Sequence, residues 1–203
     1  QAAALGPRLG LPLLYGVDAV HGHNNVWGAT IFPHNIGLGA AGDAALVERV
    51  AEATAAEVLA TGIPWNFAPT IAVPHDIRWG RTYEGYSADT ALVTRLAAAY
   101  VRGLQGCPPR VAATAKHYVG DGSTLFGTSR TENLGAHYLL DQGDTTLDEA
   151  ALRADLLPPY RAALAAGALT VMASFNSWRG AKLHAHRYLL TEVLKGELGF
   201  TGL

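Results

Sequence analysis

The apolar run in "LPLLYGV" (residues 11–17) is opened by Pro12 and broken off by polar residues from Asp18 onward, which are the length and the boundaries of a buried strand. A partly polar connection follows. From Asp43, a good helix N-cap, Leu46, Val47, Val50 and Val58 then fall on one helical face, and Gly62 supplies a C′ stop. "WNFAPTIAV" (65–73) predicts a second strand. Ser87 is placed to cap a second helix whose Leu92, Leu96, Tyr100 and Leu104 share a stripe, with Gly106, Pro108 and Pro109 ending it. "VAATAKHYV" (111–119) predicts the third strand. Residues 120–145 show no periodicity, and a loop far longer than the usual ~4–6 residues is expected to be a functional border or lid. Thr146 with Glu149 forms a capping box into a helix expected to break at Pro158-Pro159. "LTVMASFNSW" (169–178) predicts a fourth strand, and Leu189, Leu190, Val193, Leu194 and Leu198 a fourth amphipathic helix. "GFTGL" leads toward a fifth strand.

Strands alternating with helices predict a parallel sheet, and two architectures accommodate that run: the open doubly wound sheet and the closed (β/α)8 barrel. The first strand runs into "DAVHGHNN" rather than a glycine-rich phosphate turn, which removes the fingerprint of the nucleotide-binding sheet. Each strand instead ends in polar residues: Asp18, then His75 and Asp76, then Lys116 and His117, then Asn176. In a barrel those ends converge on the face where active sites are built.

Composition narrows the partners more than the fold. The 15 Lys and Arg against 17 Asp and Glu give a formal net charge of −2 without long runs of either sign, so no footprint for nucleic acid or an anionic membrane is visible. With 49% hydrophobic residues the chain can build a core. The single Cys107 excludes an internal disulfide and a thiolate metal cluster but leaves the compartment open. No stretch approaches the ~20 apolar residues of a membrane span, and "QAAALGPRLG" lacks the basic start and apolar core of a signal peptide.

Three chemistries compete for the polar strand ends. His21, His23, His75 and His117 could hold a metal, but the H-x-H pair matches no metal signature and has no HExxH or cysteine partner, so hydrogen bonding to loops or ligand hydroxyls is favoured and no metal or cofactor is expected. A Ser-His-Asp set lacks a G-x-S-x-G elbow, and Ser174 sits in an apolar strand. Polyol recognition suits the mixture best: a carboxylate accepts from adjacent hydroxyls while Lys and Arg donate to their lone pairs. A structural ion-pair network under the loops stands beside it as the alternative.

Four blocks in order, "GVDAVHGHNNVWGATIFPHNIGLGA" (16–40), "TGIPWNFAPTIAVPHDIRWGRTYEGYS" (61–87), "VAATAKHYVGDG" (111–122) and "TVMASFNSWRG" (170–180), strongly resemble the N-terminal barrel domain of family 3 glycoside hydrolases, nearest the β-glucosidase and β-glucan exohydrolase branch. The resemblance implies an α/β fold, a partial (β/α)8 TIM barrel comprising about the first four to five βα units. It also implies a site that grips glucose in subsite −1, with Asp18, Arg81, Lys116, His117, Met172 and Phe175 as the substrate-binding set. Many relatives carry tyrosine where this chain has Phe175, so a hydroxyl near the nucleophile is missing. Arg78 reads as an ion-pair arm, Glu84 as the carboxylate that orients Arg81 or Lys116, and Trp79 and Trp178 as packing residues outside the site. His21, His23, Asn24 and Asn25 read as braces for the loop that holds Asp18. "KHYVGDG" lacks the "KH-x-PGHG" block and catalytic His-Asp pair of N-acetylglucosamine-specific relatives, which makes β-xylosidase the nearer and N-acetylhexosaminidase the more distant alternative within the family; a non-catalytic carbohydrate-binding barrel is the alternative from another class.

The family's chemistry is retaining and needs a carboxylate nucleophile and a carboxylic acid about 5–5.5 Å apart. In relatives the nucleophilic aspartate belongs to an "SDW" motif on the strand that "GFTGL" approaches, so it is expected about four residues beyond Leu203, and the acid/base glutamate comes from a second domain. Neither catalytic carboxylate is expected within residues 1–203, the rest of the barrel and the second domain are expected to lie outside them, and the isolated fragment is expected to be inactive. The resemblance further implies a β-linked glucoside or gluco-oligosaccharide substrate, no nucleic-acid or membrane partner, and a periplasmic or secreted location.

Overall fold

The computed structural model describes residues 13–106, 108, 110–129, 132–133, 136–137 and 139–203. The stretch "QAAALGPRLG", Pro12, Cys107 and Pro109 lie outside the described residues. Four strands form one parallel sheet: β1 (Gly16–Val17), β2 (Trp65–Asn66), β3 (Ala112–Tyr118) and β7 (Thr170–Ala173), in the order β1-β2-β3-β7. The order never reverses, as it must in a doubly wound sheet, and this progression is that of a (β/α)8 barrel. Leu203 has begun the next position: Val171 N donates to Leu203 O at 2.9 Å and Leu203 N to Leu169 O at 3.2 Å. The final "GFTGL" therefore does approach a fifth strand beside β7.

The crossovers are helices. A short α1 (Asn35–Ala41) and a long α2 (Ala44–Ala60) join β1 to β2, α3 (Thr90–Gln105) joins β2 to β3, and α5 (Pro158–Ala165) precedes β7. Asp43 caps α2 by accepting from Ala45 N and Leu46 N, and Gly62, at φ +77°, closes it. Val47, Val50 and Val58 of α2, and Leu96, Tyr100 and Leu104 of α3, are buried in one core with Val111, Ala113 and Ala115 around β3. Farther along, the Tyr118 and Tyr160 rings meet edge to face at 5.0 Å and the Tyr118 hydroxyl donates to Leu189 O.

Several sequence expectations change. "LPLLYGV" is not a buried strand along its length: among its described residues the ladder holds only Gly16 and Val17, and Leu13, Leu14 and Tyr15 are exposed. "WNFAPTIAV" forms a strand only at Trp65 and Asn66 and meets β3 again at a single Thr70–Lys116 bridge, with Pro69 between them unable to donate to a ladder. Helix α3 is capped by Asp89, which accepts from Ala91 N and Leu92 N, while Ser87 Oγ accepts from Asp89 N one step earlier. Asp148, not Thr146, caps the next helix: α4 (Glu149–Ala151) passes into a π-helical stretch Leu152–Leu156, the run breaks at Leu157 as the Pro pair leads one to expect, and the prolines then open α5, as the first turn allows. Tyr188–Glu197 is also π-helical.

Residues 120–145 are not structureless. They contain the hairpin β4 (Glu132–Asn133) and β5 (Ala136–His137), then β6 (Asp144–Thr145), which pairs in parallel with β8 (Ser177–Trp178). A further strand, β9 (Ala181–Lys182), completes a small three-stranded sheet beyond the C-terminal end of β7.

Candidate active-site pocket

The expected site residues all follow, or sit near, the C-terminal ends of the parallel strands. Asp18 comes directly after β1, and its backbone is fixed from β2: Asn66 Oδ1 accepts from Ala19 N at 3.0 Å and Asn66 Nδ2 donates to Ala19 O at 2.8 Å. The braces expected in "HGHNN" are present. Asn25 Nδ2 donates to Asp18 O at 3.0 Å, and Asn24 Oδ1 accepts from Val20 N at 2.9 Å. His21 Nδ1 donates to Phe32 O at 3.3 Å. The Thr61 hydroxyl donates to Val58 O, so buried His23 donates from Nε2 to Thr61 Oγ1 at 3.0 Å. Among the described residues no three metal-ligating side chains come together.

Lys116 Nζ donates to Asp18 Oδ1 at 2.7 Å, joining the ends of β1 and β3. The Lys116 side chain is 4% exposed and that of Asp18 61%, so the pair presents a solvent-facing carboxylate braced from below by a buried cation. His117 follows at a register shift in the β3–β7 ladder, where Lys116 faces Met172 and Tyr118 faces Ala173. Such an irregularity re-aims a side chain, and here neighbours that would otherwise alternate both serve the same end of the sheet.

Arg81 lies in the loop after β2 and forks onto Glu84, with Nε–Oε1 2.7 Å and Nη2–Oε2 2.8 Å. Of the two cations the sequence left open for Glu84, it holds Arg81, while Lys116 is on Asp18. The hydrogen bonds and charge of Glu84 raise the Arg81 pKa further. Burial alone would raise Glu84, but the Arg81 hydrogen bonds and charge, with Lys116 and His117 behind them, hold it below the usual carboxylate range. Arg81 Nη2 also lies 3.3 Å from His117 Nε2, and His117 Nδ1 lies 2.7 Å from Asp121 Oδ2.

A cavity of about 160 Å³ opens here, with Arg81, His117, Asp121, Met172, Phe175 and Trp79 in its wall. A six-membered ring fits a space of about 150 Å³. Four of the six expected residues, Arg81, His117, Met172 and Phe175, share this wall; the Asp18–Lys116 pair lies outside the lining, next to it through the Lys116–His117 backbone. Phe175 is 61% exposed, stacks on His184 with centroids 4.8 Å apart, and its carbonyl accepts from Lys182 Nζ. Arg78 pairs with Asp76 and lies over the Phe126 ring, away from this cavity, as an ion-pair arm should. Trp178 is a packing residue that donates to Leu147 O; Trp79 is equally buried, yet its ring does line the cavity.

Sequence reasoning missed Asn66, Asp121 and Asn176. Asn176 was noted as a strand end, but its amide donates to Thr145 Oγ1 and Ser177 O and it too lines the cavity. Asp121 belongs to "GDG", whose glycines give the turn its backbone freedom: Gly122 has φ +79°, and a Cβ there would lie 2.8 Å from the Trp79 ring. The signal for Asp121 was its position one short turn beyond His117. Although the N-acetylglucosamine-type block is absent, His117 does have an aspartate partner.

The model of the glycosyl hydrolase family 3 N terminal domain matches residues 1–203. The chain is 36% identical to the lysosomal beta glucosidase of Dictyostelium discoideum, covering 95% of this chain and 23% of that protein. It is 32% identical to the periplasmic beta-glucosidase of Salmonella typhimurium, covering 100% and 25%. Its structure superposes on the exo-1,3/1,4-beta-glucanase of a Pseudoalteromonas species with TM-score 0.88 and 49% identity, over 98% of this chain and 25% of that one. The chain thus spans about a quarter of the length of these relatives.

Proposed function

The chain belongs to glycosyl hydrolase family 3, as its N-terminal domain, and from that premise we propose that the whole protein removes β-linked glucose from the non-reducing end of glucosides or gluco-oligosaccharides with retention of configuration. The observation that carries this reading is the cavity at the strand ends, where Arg81, His117, Met172 and Phe175 meet beside the Asp18–Lys116 pair. In this reading the exposed Asp18 carboxylate accepts from two adjacent sugar hydroxyls, while Lys116 and Arg81 donate and Met172 and Phe175 bound the ring's apolar faces. Closing a glucose over these groups excludes water and strengthens each charge-assisted hydrogen bond in the transition state.

Residues 1–203 are then the incomplete N-terminal barrel domain, and cleavage needs two carboxyl groups about 5–5.5 Å apart from elsewhere in the protein. Leu203 lies beside Thr170, so in a continued parallel strand the residue about four positions later would come beside Ser174, in the cavity wall, which supports an aspartate there as the proposed nucleophile. The acid/base glutamate comes from a second domain. The exo-1,3/1,4-beta-glucanase activity named for the Pseudoalteromonas relative supports this substrate class, and the name of the Salmonella relative supports a periplasmic or secreted location.

The test is turnover of p-nitrophenyl β-glucoside by the intact protein, with the anomer of released glucose followed by proton NMR. The β anomer appearing first, and a loss of roughly a hundredfold or more in kcat/KM for Asp18→Ala, are the expected results. An α anomer, or an Asp18→Ala variant with unchanged kcat/KM, refutes the assignment. Faster turnover of the β-xyloside moves the substrate to the pentose.

A further inference from the structure

His117 stands between a group that only accepts and a group that only donates. The Asp121 carboxylate lies 2.7 Å from Nδ1, and the Arg81 guanidinium lies 3.3 Å from Nε2. One placement of hydrogen satisfies both contacts: Nδ1 carries it and donates to Asp121, and Nε2 keeps its lone pair toward Arg81. The other tautomer sets a lone pair against a carboxylate and an N–H against an N–H. Arg81 is held from turning aside, because Nε and Nη2 are both engaged on Glu84.

Asp121 is held as firmly. It is buried in the Gly120–Gly122 turn, where Gly120 O accepts from Ser123 N and Thr145 Oγ1 and Gly122 O accepts from His75 N. Its other oxygen, Oδ1, is buried with no hydrogen-bond partner among the described residues, so the bond from His117 is what the carboxylate is oriented for. Glu84, Arg81, His117 and Asp121 thereby form a single chain in which every donor faces an acceptor.

We propose that Asp121 is a positioning residue for His117: it fixes the Nδ1–H tautomer and so keeps Nε2 an acceptor at the cavity wall, where a sugar hydroxyl that donates takes the single lone pair over from Arg81 Nη2 when glucose binds. The inference rests on reading the cavity as a glucose site, and Asp121 acts through His117 without touching the sugar.

The test uses the intact protein labelled with 15N-histidine, His117 being identified by the signals lost in His117→Ala. A protonated Nδ1 and unprotonated Nε2 at His117 are expected, with that separation collapsing in Asp121→Ala; a protonated Nε2 in the parent protein overturns the proposal. In kinetics on p-nitrophenyl β-glucoside, Asp121→Ala lowers kcat/KM roughly ten- to a hundredfold. Asp121→Asn, whose amide oxygen accepts the same hydrogen bond, restores most of it. In a His117→Ala background, Asp121→Ala costs less than about threefold more. The full loss repeated in that background means that Asp121 merely holds the loop, and overturns the proposal. Should Asp121→Ala not fold, the parent spectrum decides. An intact protein inactive on every β-glucoside refutes the glucosidase reading, while the tautomer still stands or falls by NMR.

Discussion

Replacing Asn66 with alanine removes the bracket that holds the segment after β1 against β2. Asn66 is fully buried and occupies both backbone groups of Ala19, itself fully buried and next to Asp18. Truncation leaves one N–H and one C=O without partners in a space closed to solvent. Each such group costs about 1–3 kcal/mol, and a water entering the vacated volume relieves part of the sum, so a loss of about 2–4 kcal/mol is expected. Asn66→Asp keeps the acceptor for Ala19 N but sets a carboxylate oxygen against Ala19 O, and is expected to be no better. Urea unfolding of the intact protein reads the stability, and kcat/KM on p-nitrophenyl β-glucoside reads the looser Asp18, with a fall of about tenfold for a displaced binding group. A stability change under about 0.5 kcal/mol together with unchanged kcat/KM would show that the bracket positions nothing.

Three further outcomes are expected. Gly103→Ala in α3 places a Cβ 2.2 Å from Glu48 O and 2.6 Å from the Ala51 Cβ of α2, so the helices must separate and the protein loses about 1–3 kcal/mol by thermal melting; an unchanged Tm contradicts that packing. Because Glu84 is held below its ordinary range in the folded state, its contribution is present above the unfolded carboxylate pKa and is lost as pH falls through the folded one. Glu84→Gln therefore flattens the acid side of the stability profile, which urea midpoints between about pH 6 and 2 would show; an identical slope refutes it. A polypeptide of residues 1–203 alone leaves Leu13, Leu14, Tyr15, Leu169 and Leu203 exposed along the sheet, and is expected to self-associate in light scattering and to leave p-nitrophenyl β-glucoside intact; turnover matching the intact protein contradicts this.

Helices were legible because their signals are local. Asp43 and Gly62 close α2 where the sequence puts them, and the errors at the starts of α3 and α4 were between competing caps within two residues of one another: Ser87 against Asp89, Thr146 against Asp148. Strands were overread because an apolar run reports burial rather than pairing: Ile71, Ala72 and Val73 are buried as expected, but in a loop. Of the short strands in residues 120–145, β6 escaped notice because it pairs with β8, more than thirty residues away, and nothing local marks a partner at that distance. The site shows the same division. The motif blocks named side chains that end up side by side, with Arg81, His117, Met172 and Phe175 in one cavity wall. Asn66, which holds Ala19 from behind, is visible only once β1 and β2 are brought together, whereas Asp121 stands four residues from His117 and was passed over.

The most direct measurement is a crystal structure of the intact protein soaked in glucose. The account predicts one pyranose ring at the strand ends, its hydroxyls within about 3.2 Å of Asp18, Lys116, Arg81 and His117, with Met172 and Phe175 against its faces. A ring bound elsewhere, such as beside Phe126, with these four side chains still bonded only to one another, would contradict it.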